Sequence, residues 1–224
     1  MDSIKELANI PLDQLTSFLK LTNGFIGGSA ALYGYMKEKD LMIKKWQPND
    51  IDIWIPVPGY SIEQNIKDQN TRVIYNSNMY VLKKFIIGFF TNYNYIEDTI
   101  SQQDKTYPSQ IKSYFEQKDT NKYICKVMTF NNINNIKYQV ILITEDINVT
   151  NLQIRQELFL NNFDLSVCSI GINPSGFIFA NDSIKNNIIN KQALIKGYSD
   201  IKNIKFQQRI QKYKDRGFTI YSKI

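Results

Sequence analysis

Asp50 and Asp52 stand one residue apart in "PNDIDIWIP", residues 48–56, a run otherwise rich in isoleucine, tryptophan and proline. A β-branched apolar run reads as a strand entering a core, where a carboxylate is costly unless it meets a cation. Strand side chains alternate, so Asp50, Asp52 and Trp54 share one face while Ile51, Ile53 and Ile55 take the other, toward the core. Two carboxylates at i and i+2 suit a hard divalent ion, magnesium or manganese. The run "NNFDLSVC", residues 161–168, repeats the pattern, with Asp164 opposite the face of Phe163, Leu165 and Val167. Placed beside "DIDIWIP", that strand would add Asp164 as a third carboxylate, enough to hold two cations for in-line displacement at phosphorus.

A triphosphate also needs a cradle, and "GFIGGSA", residues 24–30, offers one. Gly27 and Gly28 permit close backbone approach, while Ser29 and the first amides of a following helix can donate to phosphate oxygens at the positive helix end. No Gly-Lys-Ser/Thr follows, so this is not a Walker A loop. Taken alone, the turn reads first as a plain helix cap with Ser29 as the N-cap.

The 224 residues contain no histidine, which removes Ser/His and Cys/His catalysis, histidine bases and the usual zinc sites. Carboxylates, lysine, tyrosine and hard metals remain. Two cysteines, Cys125 and Cys168, read as free buried thiols of a cytoplasmic protein. A hydrophobic content of 43%, with 13% aromatic residues, argues for a folded core, and apolar runs such as Phe85–Phe90 are too short to span a bilayer. With no apolar signal core at the N-terminus, a soluble protein with no membrane partner is expected.

Net charge is +6, concentrated at one end: from Lys191 onward nine basic residues face only Asp200 and Asp215, so residues 1–190 carry about −1. Two readings of this segment stand side by side. It is a solvated amphipathic helix, or it contacts an anionic partner such as nucleotide phosphates or nucleic acid, with Arg209, Lys212 and Arg216 as candidate phosphate contacts.

The elements that would position these residues alternate in type, which gives an α+β class. Helical spacing covers residues 11–22, and a strand, glycine turn and helix follow from 24. A basic connector, "EKDLMIKKWQPN", leads to the strand "DIDIWIPV". Beyond it the pattern predicts a helix over 61–69, a short strand over 72–75 and a helix over 79–92. "KYICKVMTF" and "IKYQVILIT" read as a hairpin joined by "NNINN". Then come the helix "NLQIRQELFL", the strand "NNFDLSVCSIGI" with its partner "FIFA", helices over 183–191 and 200–215, and a last strand, "FTIYS".

Gly27-Gly28-Ser29, Asp50-Ile51-Asp52 and a later Asp164, in that order, resemble the DNA polymerase beta-like nucleotidyltransferase superfamily. The resemblance covers about residues 11–180, and more loosely "YQVILI", "FDLSVC" and "RIQKYKDRGF" are similar to uncharacterised members from large DNA viruses and some fungi, which would place the protein in a host cytoplasm. It implies a mixed β-sheet flanked by helices, as a core over 1–180 with an insertion at about 60–120, and a small basic helical/β extension over 181–224 packed on it. It implies an enzyme that transfers an NMP from an NTP to a hydroxyl acceptor with release of pyrophosphate. In that family the glycine-serine turn holds the nucleotide phosphates, and three carboxylates, here Asp50, Asp52 and Asp164, bind two divalent ions, Mg2+ or Mn2+. Asp164 would act near the attacking hydroxyl. RNA or another anionic acceptor would meet the basic segment. The connector from Ser29 to Asp50 is long for the family and reads as an insertion beside the site. A nucleotide- or nucleic-acid-binding module that keeps the fold without turnover is the alternative.

Overall fold

The computed structural model describes residues 1–57, 69–98, 124–132, 136–144, 149–196 and 203–222. In chain order its elements are α1 (Leu12–Thr22), β1 (Phe25–Gly27), α2 (Gly28–Glu38), β2 (Asp50–Val57), α3 (Gln69–Thr91), β3 (Ile96–Glu97), β4 (Ile124–Asn131), β5 (Lys137–Thr144), α4 (Leu152–Leu160), β6 (Ile170–Asn173), β7 (Gly176–Phe179), α5 (Asp182–Ile189), β8 (Gln192–Ile195), α6 (Ile204–Asp215) and β9 (Thr219–Ser222).

The isoleucine alternation of "DIDIWIP" places β2 at the centre of a seven-stranded mixed sheet, ordered β3-β4-β5-β2-β1-β6-β7. Ile51, Ile53 and Ile55 are fully buried, as a one-faced strand requires. β2 runs parallel to β5 and antiparallel to β1, and β4 and β5 form the expected hairpin. The residues of its turn, 133–135, lie outside the described residues. α1 stops where Asn23 takes a left-handed conformation (φ 52°), and Gly24 N–H returns to Leu19 O, so the Asn-Gly pair ends the helix. α2 is buried on all sides from Gly28 to Met36, which marks it as the central helix packed on the sheet. The aromatic core joins three elements: Phe18 of α1 stacks on Phe89 of α3 at 4.2 Å, and Phe90 stacks on Phe130 of β4 at 4.3 Å.

Three expectations need correction or qualification. Residues 72–75 are not a strand but part of the 23-residue α3, because the β-forming stretch is short and no proline or glycine interrupts the helix until Gly88. Residues 61–68 of the helix expected over 61–69, and about half of the insertion expected at about 60–120 (60–68 and 99–120), lie outside the described residues. "NNFDLSVCSIGI" is not one strand: the chain turns through a 3-10 segment at Ser166–Cys168, and β6 begins only at Ile170. β8 has no counterpart among the expected elements. It pairs in parallel with β9 as a two-stranded sheet and fastens the C-terminal segment to the 164–168 turn, where Leu165 bridges Ile195 and Leu194 N–H donates to Ser166 Oγ at 2.9 Å. No described helix is long and apolar enough to cross a membrane.

Candidate active site

Strand pairing decides whether the glycine turn and the paired aspartates meet, and they do. Gly27 is the antiparallel partner of Asp52 across β1 and β2, so the turn into α2 sits directly opposite the carboxylate. Gly28 has φ +65°, a conformation L side chains rarely adopt, and a Cβ there would lie 3.5 Å from Asp52 Oδ2. Gly27 is held bare for a different reason: a Cβ would stand 2.7 Å from Trp54 Nε1. The helix cap falls two residues earlier than expected. Gly27 is the N-cap, and Ser29 is the second helical residue, buried and lining the cavity.

On the other side of β2, the parallel register sets Lys137, Gln139 and Ile141 of β5 beside Asp50, Asp52 and Trp54. Asp50, Asp52, Trp54, Gln139 and Ile141 line one face of a cavity of about 410 Å³. α6 closes it. Its Lys205, Phe206, Gln208, Arg209, Lys212 and Tyr213 recur at helical spacing and face the cavity, and Asn49 from the end of the connector completes the wall.

Electrostatics concentrate on Asp52. Burial, then Asp50 on the same face, push its carboxyl well above the usual carboxylate range, while Arg209, Lys137 and Lys212 act the other way. Its Oδ1 is enclosed and has no hydrogen-bond partner among the described residues. A partly desolvated carboxylate pair with an orphaned oxygen fits a divalent cation, whose charge would relieve the repulsion and satisfy hard oxygen ligands. Asp50 and Asp52 are the residues able to hold one. Burial and the nearby Arg216 lower the Lys212 ammonium below the ordinary lysine value, with Asp50 opposing.

Asp164 is not brought to this pair. Among the described residues no three or more Asp, Glu, Cys or His side chains come together as a metal site. The reason is topological: β2 already has β5 and β1 on its two edges, and the Asp164 backbone is engaged by Lys196 N–H, which donates to its carbonyl at 2.6 Å. The Asp164 side chain, 1% exposed, accepts instead from Arg209 Nη1 at 3.0 Å. Arg209 Nη2 reaches Cys168 Sγ at 3.7 Å, and that thiol donates to Tyr213 Oη at 3.0 Å. Cys168 is free and buried as expected. The side chain of Cys125 lies outside the described residues.

Of the three basic candidates, Arg209 and Lys212 line the cavity and Arg216 does not. Arg216 is 5% exposed, with its guanidinium 3.8 Å above the Trp46 ring and 5.0 Å from that of Tyr213. It clamps the connector onto α6. Trp46 also packs edge-on against Tyr33 of α2, and Lys191 Nζ donates to Leu41 O, so the basic connector forms a wall beside the site. The residues that the motifs did not single out are Gln139, Asn49, Lys205 and Gln208. Two of these were visible in principle: Gln139 is the one polar break in "YQVILI", and Lys205 lies one helical turn before Arg209 on the same face.

No protein-family model and no curated protein matches the chain. Solved structures do. A CCA-adding enzyme in complex with CTP superposes with a TM-score of 0.53 at 12% identity, over 98% of this chain and 42% of that one. The Thermotoga maritima CCA-adding enzyme complexed with tRNA gives a TM-score of 0.49 at 12% identity, with the same coverage. The chain thus spans less than half the length of either enzyme. The mixed seven-stranded sheet flanked by helices seen here is similar to the fold of the CCA-adding enzyme solved with CTP.

Proposed function

We propose that the protein is a divalent-metal-dependent nucleotidyltransferase that moves an NMP from an NTP to a hydroxyl acceptor. One observation carries this reading: the glycine turn at the start of α2 lies opposite Asp52, so an anion cradle and a paired-carboxylate cation site share one cavity. A divalent ion held by Asp50 and Asp52 would supply positive charge against the triphosphate and make the acceptor hydroxyl more acidic. Around it, Gly27, Gly28 and Ser29 offer backbone and hydroxyl donors to phosphate oxygens, and Arg209 and Lys212 offset phosphate charge from α6. The acceptor oxygen bonds to the α-phosphorus as the α–β bridging bond breaks, and pyrophosphate leaves. Trp54 and Phe163 give the cavity an apolar wall suited to the nucleoside.

The fold neighbour that holds CTP makes an NTP the first substrate class to test. The cationic face of α6 favours RNA or another anionic acceptor. The test is pyrophosphate release from each common NTP with Mg2+ or Mn2+, against tRNA, poly(A), protein and small alcohols as acceptors. Release is expected, and Asp50→Ala and Asp52→Ala should each abolish it; turnover that survives both changes overturns the reading.

One observation favours a second reading, a nucleotide- or nucleic-acid-binding module without turnover. The third carboxylate, Asp164, is engaged by Arg209 rather than joined to the pair. Salt-sensitive binding of RNA with no metal-dependent product would select this reading.

A further inference from the structure

Arg209 occupies an unusual place. It lines the same cavity as Asp50 and Asp52, yet its Nη1 donates to Asp164, which does not line the cavity. An arginine in a cavity with two acidic side chains is drawn to them, because a bidentate guanidinium–carboxylate contact is the strongest ordinary pairing available to both. Such a contact would occupy the oxygens that a cation needs. Arg209 Nη1 donates to Asp164 Oδ2 at 3.0 Å; the carboxylate is 1% exposed and the arginine 13%, so the pair sits in a poorly hydrated setting where breaking it is costly. Nη2, at 3.7 Å from Cys168 Sγ, is turned the same way.

We propose that Asp164 is a positioning residue that tethers Arg209 away from Asp50 and Asp52 and so keeps the cation site open. This rests on the metal-binding reading of that pair. Asp164 touches neither metal nor substrate in this role. It acts by keeping a positive side chain from neutralising the site before a cation arrives, while leaving that charge at the cavity wall for an incoming anionic ligand.

Mn2+ binding to the full chain, followed by electron paramagnetic resonance without nucleotide, tests this directly. Asp164→Asn removes the carboxylate of that pair and is expected to weaken Mn2+ binding about tenfold, in the range measured for coupled charged neighbours. The double variant Asp164→Asn with Arg209→Gln removes both charges of that pair and the competing guanidinium, and should bind Mn2+ at least as tightly as the parent. A merely structural role for Asp164 would lower the Tm of the single variant and leave its Mn2+ affinity, measured well below that Tm, equal to the parent's. If Asp164→Asn binds Mn2+ like the parent, or if the double variant is as weak as the single, the tether is refuted. Should the single variant not fold, the double variant decides alone, since weakened Mn2+ binding there contradicts the proposal. A parent protein that binds no Mn2+ refutes the metal-site reading itself, which is a different outcome.

Discussion

Replacing Asp52 by asparagine is expected to stabilise the metal-free protein while removing its metal affinity. Burial and the adjacent Asp50 both disfavour the Asp52 carboxylate, and Arg209, Lys137 and Lys212 offset them only in part. A carboxyl whose folded pKa lies above its unfolded value holds its proton more tightly when folded. Stability therefore falls as pH rises from the ordinary aspartate range through the raised value, and the full penalty stands above that. At pH below the ordinary value both states carry the proton and the penalty is absent. Asparagine keeps the shape without the charge, so its advantage at neutral pH should be on the order of 1–3 kcal/mol. In a chain of this size each kcal/mol moves Tm by about 2–4 °C. Thermal unfolding in EDTA, at steps between about pH 4 and 8, should show the variant's lead growing with pH. Added Mn2+ should raise the Tm of the parent only. A variant that melts at or below the parent at neutral pH without metal, or a lead that does not change with pH, would refute the account of Asp52 as a strained, cation-seeking carboxylate.

Gly28→Ala forces an alanine into the left-handed region at a cost of about 1 kcal/mol and sets a methyl group against Asp52; calorimetry should find weaker Mg2+-ATP binding together with a small loss of Tm. Arg216→Ala removes the clamp on Trp46, a contact of up to about 2 kcal/mol when desolvated, so Tm should drop while ATP affinity holds; an unchanged Tm with lost ATP binding would restore Arg216 to the nucleotide site. Because burial lowers Lys212 below the ordinary lysine value, its charge is lost at a lower pH than that of an ordinary lysine. ATP affinity should therefore decline at alkaline pH, and Lys212→Arg should shift that decline upward, as a binding titration across pH would reveal.

Much of the site was legible before any fold was known. Asp50 and Asp52 face one way because isoleucines alternate between them, and that depends only on the period of a strand. Gly27-Gly28-Ser29 marks a strand-to-helix turn for an equally local reason, although the cap falls on Gly27 rather than Ser29. Asp164 shows where local reading stops. Its alternation with Phe163 and Leu165 is that of a strand, but tertiary hydrogen bonds to Leu194 and Lys196 bend the chain into a turn. The segment 72–75 failed similarly, its β-forming residues being absorbed into a long helix.

By itself the sequence determined which chemistry is available: carboxylates and cations without histidine, on strand and helix faces whose periods can be counted. Only the tertiary structure decided which of those faces meet. Strand order put Gly27 opposite Asp52 and Gln139 beside it, and the docking of α6 brought Arg209 and Lys212 into the cavity while turning Arg216 to Trp46. Side-chain alternation is a property of neighbouring residues, whereas register and helix docking are set by burial between segments that are distant in sequence, and no local pattern encodes which distant partner wins.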